Sequence, residues 1–133
     1  MKQLLKLTGC LAVAGLFVSC QSVQQEANYQ VIPLPQEIVV EQGVPFILKS
    51  GVKILYPEGN EKMQRNAKFL ADYLKTATGK DFTIEAGTEG KNAIILALGT
   101  ENENPEAYQL KVAGDGVTIT GSTEAGVFYG IQS

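Results

Sequence analysis

The sequence from Tyr108 to Ser133 reads YQLKVAGDGVTITGSTEAGVFYGIQS. It contains two runs of alternating apolar and polar residues, 108–112 and 117–120, separated by the turn sequence Gly114-Asp115-Gly116. Asp-Gly tolerates positive φ, and between two alternating runs it is a strong short-range hairpin signal. We therefore predict that the two runs form a pair of antiparallel strands.

The residues after this hairpin predict a helix. Ser122 is the expected N-cap, Glu124 lies in the first turn, where a negative charge is favourable, and Phe128 and Ile131 are expected to point inward. The helix reaches Ser133 without a closing glycine, proline or basic residue. We therefore expect the natural polypeptide to continue beyond this point.

A longer helix is predicted upstream, with Asn60 as its N-cap and Gly79 as its left-handed C-terminal residue. Its apolar residues recur at spacings of four and three, which is one stripe of a helix that covers one side of a sheet. The stripe consists of Met63, Ala67, Leu70, Leu74 and Ala77, and the opposite, solvated face carries Lys62, Arg65, Asp72 and Lys75.

Strands are predicted from short β-branched or aromatic runs. Residues 32–36 contain two prolines and suit an extended opening segment. The runs 37–40, 46–48 and 52–56 follow, separated by glycine and serine, which is the pattern of a meander.

Two further strands are predicted at 82–85 and 93–98. The second is continuously apolar, which is typical of a central strand buried on both faces. The loop between them contains Gly87, Gly90 and Lys91 but lacks the spacing and the Ser/Thr of a phosphate-binding loop. We interpret it as a hairpin turn.

The composition of the chain excludes most kinds of catalytic site. The chain has no histidine, and its two cysteines, Cys10 and Cys20, lie in the first twenty residues. Zinc and copper sites, Ser/His/Asp triads and Cys/His dyads therefore have no residues to form them in the folded part. We expect no metal and no cofactor there.

Nucleic-acid binding is also excluded. The chain has eleven Lys and Arg against fourteen Asp and Glu, and removing Lys2 and Lys6 with a leader makes the surface more acidic. The remaining basic residues are scattered singly among acidic ones, whereas a nucleic-acid interface needs a clustered basic face.

The carboxylates Glu101, Glu103 and Glu106 share one polar loop. A glycosidase typically needs a pair of carboxyl groups. In a mobile polar loop, however, such groups are exposed to water and their separation is not fixed. We interpret the loop as a solvated turn and leave calcium affinity open. Since the Tyr and Phe residues mostly occupy predicted core positions and there is no Trp, we expect no aromatic sugar platform.

The first 19 residues predict a secretory signal peptide, because two lysines precede an apolar run shorter than the ~20 residues that span a bilayer. Its end, Leu16-Phe17-Val18-Ser19-Cys20, resembles the lipobox of bacterial lipoproteins. Cys20 would then carry the lipid that anchors the protein at a bacterial envelope membrane, on its periplasmic or cell-surface side, and residues 20–28 would be a polar tether. The alternative is an ordinary cleaved signal with a chance cysteine at 20; Cys10 lies too early for an apolar core to precede it.

Two segments carry a resemblance to a known family. Residues Val31–Gln36 and Gly121–Ser133 resemble the N-terminal domain of glycoside hydrolase family 20 enzymes, and the order of hairpin and helix agrees over residues 29–133. The resemblance implies an α+β fold with an antiparallel or mixed sheet and two helices packed on one face. It also implies a structural role beside a C-terminal (β/α)8 catalytic domain of the same polypeptide.

That family removes terminal N-acetylglucosamine or N-acetylgalactosamine by substrate-assisted retention, in which the acetamido oxygen of the substrate attacks the anomeric carbon. Its Asp-Glu pair lies on the barrel, and no position in this sequence matches it. We therefore assign no catalytic, substrate-binding or metal residue here and expect this chain alone to be inactive. The alternative is a free-standing lipoprotein module that binds a glycan or a protein partner.

Overall fold

The computed structural model describes residues 28–100 and 102–133. Within them, five strands form one mixed sheet in the order β2-β1-β3-β5-β4, and two helices pack against it. The pairs β1–β2, β1–β3 and β3–β5 are parallel, and β4–β5 is antiparallel. The predicted mixed α+β fold is therefore confirmed. The elements are β1 (Lys53–Tyr56), α1 (Glu61–Thr78), β2 (Thr83–Ala86), β3 (Ala93–Leu98), β4 (Tyr108–Ala113), β5 (Gly116–Gly121) and α2 (Glu124–Gln132).

Helix α1 begins and ends where its caps predict. The Asn60 Oδ1 atom accepts hydrogen bonds from the N–H groups of Lys62 and Met63, at 3.1 and 3.0 Å, which satisfies two donors of the first turn. Gly79 ends the helix with φ of 70°. The first three positions of the predicted stripe are buried, whereas Leu74 is partly buried and Ala77 is exposed; Ala71, outside the predicted stripe, is buried as well.

The core lies between the sheet and the two helices. Side chains alternate along each strand, so Ile54 of β1, Ile94 and Leu96 of β3 and Ile119 of β5 share the face that the helices cover. The prediction that β3 is a central strand is confirmed, but burial on both faces is only partly confirmed, because Ile95 and Ala97 on the face away from the helices are half-buried. The core cluster consists of Val52, Ile54, Met63, Ala67, Leu70, Ala71, Phe82, Ile94, Leu96, Ile119, Val127 and Ile131.

The hairpin β4–β5 forms as predicted, with Val112 opposite Val117. Its turn glycines do not adopt positive φ, however. Gly116 is required by space, because a Cβ at this position would lie 2.7 Å from the carbonyl oxygen of Ala93 on the neighbouring strand. The Asp-Gly sequence therefore predicted the correct strand pairing, but Gly116 is needed because there is no room for a side chain, not because the turn requires positive φ.

The predicted meander is wrong in its first two strands. Residues 37–40 and 46–48 lie in the described part of the chain but form no strand there. Val44, between them, is 74% exposed, although Phe46 and Leu48 pack against the core. β-branched residues favour strands only where a partner strand is available, and among the described residues this segment pairs with none.

The predicted hairpin turn between β2 and β3 is also wrong. Both strands are parallel to β1 and lie on either side of it, so residues 87–92 must return across β1. They cross on the face opposite the helices, where they cover Leu55, which is 5% exposed. A Cβ at Gly90 would lie 2.9 Å from the Leu55 Cδ1 atom, so the glycine permits a close crossing. Six residues are long enough for this crossing because β2, whose length the crossing must retrace, contains only four residues.

Some predictions concern residues outside the described ranges. The signal peptide 1–19, the lipidated Cys20, nearly all of the tether 20–28 and Glu101 belong to this group. These remain predictions. Among the helices that the structure does describe, none combines the length and the apolar character needed to cross a membrane.

Candidate functional surface on the two helices

Helix α2 lies directly on the β4–β5 hairpin because it presents glycines to it. A Cβ at Gly130 would lie 2.5 Å from the Ile119 Cγ2 atom and 3.0 Å from the Tyr108 ring, and a Cβ at Gly126 would overlap the carbonyl oxygen of Ala107. Gly126 and Gly130 are four residues apart and therefore share one helix face. This face sets the distance between α2 and the sheet.

The larger side chains of α2 divide between two directions. Val127 and Ile131 are buried in the core, as predicted for Ile131. The prediction that Phe128 points inward is wrong, because its ring is only partly buried and packs against Phe69 of α1 at a centroid distance of 5.1 Å. Since Gly126 and Gly130 occupy positions closest to the sheet, the Phe128 ring turns toward the neighbouring helix.

The first turns of the two helices are joined by a polar junction. The Asn60 Nδ2 group, besides capping α1, donates to Glu124 Oε1 at 3.0 Å, and the Asn66 Nδ2 group donates to the backbone carbonyl of Glu124 at 2.8 Å. These bonds fix α2 relative to α1. They also hold Glu124 as an acceptor, and the hydrogen bond from Asn60 lowers the pKa of this carboxyl below its ordinary value of 4.5, assisted by the Glu124 backbone N–H and the charge of Lys62.

The N-cap of α2 is Thr123, not Ser122 as predicted. The Thr123 Oγ1 atom accepts from the N–H of Ala125 at 3.2 Å and donates to the carbonyl oxygen of Pro105 at 2.6 Å. Because Ser122 and Thr123 both carry a hydroxyl group, the sequence left the N-cap ambiguous. Thr123 is the one whose hydroxyl also contacts the loop before β4. The Ser122 Oγ atom is buried without a hydrogen-bond partner among the described residues.

Four aromatic rings form a patch on the side of the helices that faces away from the sheet. Phe69 and Tyr73 stack at 6.5 Å with an interplanar angle of 17°, and Phe128 contacts both Phe69 and Tyr129. Phe69 is 43% exposed and Tyr73 is 60% exposed. The expectation that the aromatic residues are mostly core is therefore wrong for α1. We call Phe69, Tyr73, Phe128 and Tyr129 the aromatic patch.

The sequence contained a signal for this patch. Phe69 and Tyr73 are one helical turn apart and lie beside the apolar stripe rather than within it. Next to them is a cavity of about 200 Å³, lined by Ile32, Phe69, Tyr73, Ile131 and Gln132. A larger, open depression of about 600 Å³ lies at the helix junction, lined by Glu124, Lys62 and Arg65 among others.

The acidic loop is ordered by its asparagines. Asn102 Oδ1 accepts from the N–H of Asn104 and Asn104 Oδ1 accepts from the N–H of Glu106, both at 2.9 Å. The side chains of Glu103 and Glu106 are exposed. Across the part of the chain that the structure describes, no group of three or more Cys, Asp or Glu side chains is arranged to hold a metal ion.

Comparisons with known proteins agree on one family. Residues 28–133 match the family described as glycosyl hydrolase family 20, domain 2. A β-hexosaminidase of Porphyromonas gingivalis is 30% identical over 132 residues, which is 98% of this chain and 16% of that protein. The chain thus spans less than a fifth of the length of this relative.

Solved structures show the same fold. A family 20 β-N-acetylhexosaminidase of Streptomyces coelicolor A3(2) superposes with a TM-score of 0.67 at 32% identity, covering 77% of this chain and 20% of its own. The N-acetyl-β-hexosaminidase of Streptomyces plicatus, solved with Thio-NAglucal, gives 0.64 at 31% identity, with the same coverage of both chains. From its match over residues 28–133 and these likenesses, the chain belongs to the glycosyl hydrolase family 20, domain 2 family.

Proposed function

We propose that this chain is the N-terminal, non-catalytic domain of an exported β-N-acetylhexosaminidase. The similarity of nearly the whole chain to a small segment of a bacterial β-hexosaminidase carries this proposal. The full protein would hydrolyse terminal N-acetylglucosamine or N-acetylgalactosamine from glycoconjugates by substrate-assisted retention. Its catalytic groups would lie on a (β/α)8 domain of the same polypeptide.

The chemistry of the described residues supports a structural role. Glycoside hydrolysis requires at least one carboxyl group fixed beside the bond to be cleaved, and in substrate-assisted retention the acetamido group of the substrate takes the place of a second carboxylate as nucleophile. Glu103 and Glu106 project from an exposed loop, and Glu124 is engaged by Asn60 at the helix junction. The domain therefore offers its neighbour a rigid sheet and two helices rather than reacting groups.

The proposal includes export and anchoring. Residues 1–19 would direct secretion, and Cys20 would carry the acyl chains that hold the enzyme at a membrane of the bacterial envelope. Each buried methylene contributes about 0.8 kcal/mol, so several acyl chains on one cysteine give a stable anchor. Residues 20–28 would keep the folded domain clear of the membrane surface.

The test begins with the coding frame beyond Ser133. A frame that continues with a barrel pattern supports the proposal, since a (β/α)8 barrel takes about 250 residues. A stop codon supports the free-standing module instead. The purified full protein should release p-nitrophenol from p-nitrophenyl N-acetylglucosaminide, whereas the chain 21–133 should release none. Turnover by the shorter chain would contradict the structural role.

A further inference from the structure

Tyr108, the first residue of β4, lies beneath the last turn of α2. Gly130 makes this arrangement possible, because a Cβ at Gly130 would lie 3.0 Å from the Tyr108 Cδ2 atom and 3.3 Å from its Cγ atom. The phenol ring therefore lies close to the helix backbone, and its hydroxyl group reaches the end of the helix. There the hydroxyl oxygens of Tyr108 and Ser133 form a hydrogen bond of 2.6 Å, in which either can be the donor.

This hydrogen bond attaches the second end of α2 to the sheet. The first end is already attached, because Thr123 Oγ1 donates to the carbonyl oxygen of Pro105 and Asn66 Nδ2 donates to that of Glu124. Tyr108 is a rigid base for the second attachment, since β4 pairs with β5 along its whole length. With one end held, a sideways shift of ~1 Å at the other end tilts a nine-residue helix, about 13 Å long, by roughly 4°. The bond at the last turn limits this tilt.

The last turn of α2 has no local signal that sets the direction of the chain after it. Helix α1 ends at Gly79, whose left-handed backbone, with φ of 70°, turns the chain within one residue. Helix α2 reaches Ser133 without a closing glycine or proline, and its last turn contains no basic side chain. The direction at Ser133 therefore depends on contacts with the rest of the fold, and the hydrogen bond to Tyr108 is a contact of this kind.

The Tyr108–Ser133 contact is distinct from the packing that holds α2 on the sheet. Val127 and Ile131 supply that packing, and both belong to the buried core cluster. Tyr108 and Ser133 are only partly buried and lie outside the cluster formed by the described residues. A hydrogen bond between two hydroxyl groups buries little apolar area, but it holds two oxygens within about 2.5–3.0 Å and at a restricted angle. It therefore adds direction to a helix that is already packed.

We propose that Tyr108 and Ser133 form a joint that fixes the direction in which the polypeptide leaves α2. Tyr108 is a positioning residue in this joint, because it acts through Ser133 on the chain that follows. This inference rests on the proposed function, since it requires a polypeptide that continues beyond Ser133. The ring of Tyr108 packs near Gly130 and its hydroxyl group sets the direction, so removing the hydroxyl alone separates the two roles.

The test is a double-mutant cycle in the full-length protein, with Tyr108→Phe, Ser133→Ala and the double variant. Hydrogen exchange is measured by mass spectrometry on the peptide that contains the last turn of α2 and the first residues after Ser133. Loss of the hydrogen bond should accelerate exchange there by about three- to tenfold, and the double variant should exchange no faster than either single variant. Ser133→Thr keeps a hydroxyl group and should retain wild-type protection. Tyr129→Phe, which removes a hydroxyl from the same turn, is the matched control and should change exchange by less than about twofold.

The outcomes separate this inference from the proposed function. Unchanged exchange in Tyr108→Phe, or single effects that add in the double variant, would overturn the joint. Faster exchange spread equally over α1 and the sheet would also overturn it, because the hydroxyl would then support the stability of the whole domain. Release of p-nitrophenol from p-nitrophenyl N-acetylglucosaminide by the wild-type protein is measured in parallel. An active wild type without the coupled effect contradicts only the joint, whereas an inactive wild type with the coupled effect contradicts only the enzymatic function.

Discussion

Replacing Gly126 by alanine tests whether α2 must contact the loop before β4. The added Cβ would overlap the carbonyl oxygen of Ala107, and this oxygen cannot move freely because it accepts a hydrogen bond from the Ser122 N–H at 3.0 Å. Overpacking of this kind costs about 1–3 kcal/mol, and disturbing the hydrogen bond adds about 1 kcal/mol. The higher helix propensity of alanine relative to glycine stabilises the fold by about 1 kcal/mol and offsets part of this cost. The net loss should be about 1–3 kcal/mol.

The loss should be visible in urea unfolding of chain 21–133 followed by circular dichroism, and as a fall in Tm of at least about 4 °C. Gly43→Ala is the matched control, because nothing lies within 4 Å of the added atom, and it should change stability by less than about 0.5 kcal/mol. Gly130→Ala should cost less than Gly126→Ala, since its Cβ meets side chains that can shift. If Gly126→Ala proved as stable as the parent or more so, helix propensity would be the dominant effect and the close contact would be refuted.

The remaining predictions concern the helix junction and the anchor. Asn60→Ala removes the cap of α1 and a bond to Glu124, so it should lower the free energy of unfolding by about 1–2 kcal/mol in the same urea assay; a change no larger than that of Glu61→Ala would contradict the role of the cap. Because the pKa of Glu124 is lowered in the fold, its ionised form stabilises the protein above about pH 4.5, and this contribution is lost as pH falls through the lowered value. Wild type should therefore exceed Glu124→Gln in stability at pH 7, with a difference that shrinks in acid; a constant difference in pH-dependent unfolding would refute this. Labelling of cells with a palmitate analogue should be abolished by Cys20→Ala but retained in Cys10→Ala, and label kept by Cys20→Ala would rule out the anchor.

Helix α1 and the hairpin could be predicted from the sequence because their signals are local. The Asn60 cap, the spacing of the buried residues and the closing Gly79 act within one element, and each has the same meaning in any fold. The apolar run of β3 predicted its central position between β1 and β5, whereas its face away from the helices is less buried than the run suggested.

The order and direction of the strands could not be predicted in this way. Whether β2 and β3 pair with each other or with β1 depends on where residues 87–92 travel, and glycines favour a tight turn and a close crossing equally well. Gly90 was compatible with both readings, and only the position of Leu55 beneath it distinguishes them. The prediction of strands in residues 37–48 was wrong for a related reason. Strand propensity produces a strand only where a partner strand is available, and the local sequence does not identify that partner.

The aromatic patch was missed because periodicity separates a helix into an apolar stripe and a remainder. Phe69 and Tyr73 fell into the remainder with Asp72 and Lys75, so they were treated as part of a solvated face. Two large aromatic residues one turn apart and outside the stripe indicate a second apolar contact.

Glycines and aromatic residues occur together in α2 for one geometric reason. Gly126 and Gly130 bring the helix axis close to the hairpin, and at that distance the face toward the sheet has room for little beyond Val127 and Ile131. The bulky rings of this segment must then project sideways or outward, where Phe128 meets Phe69 and Tyr129 remains half-exposed. The contact that closes the core of this domain thus necessarily creates an apolar outer surface. Because leaving such a surface in water forfeits about 25 cal/mol per Å² of apolar area, the same residues that complete this fold favour a neighbour beside it.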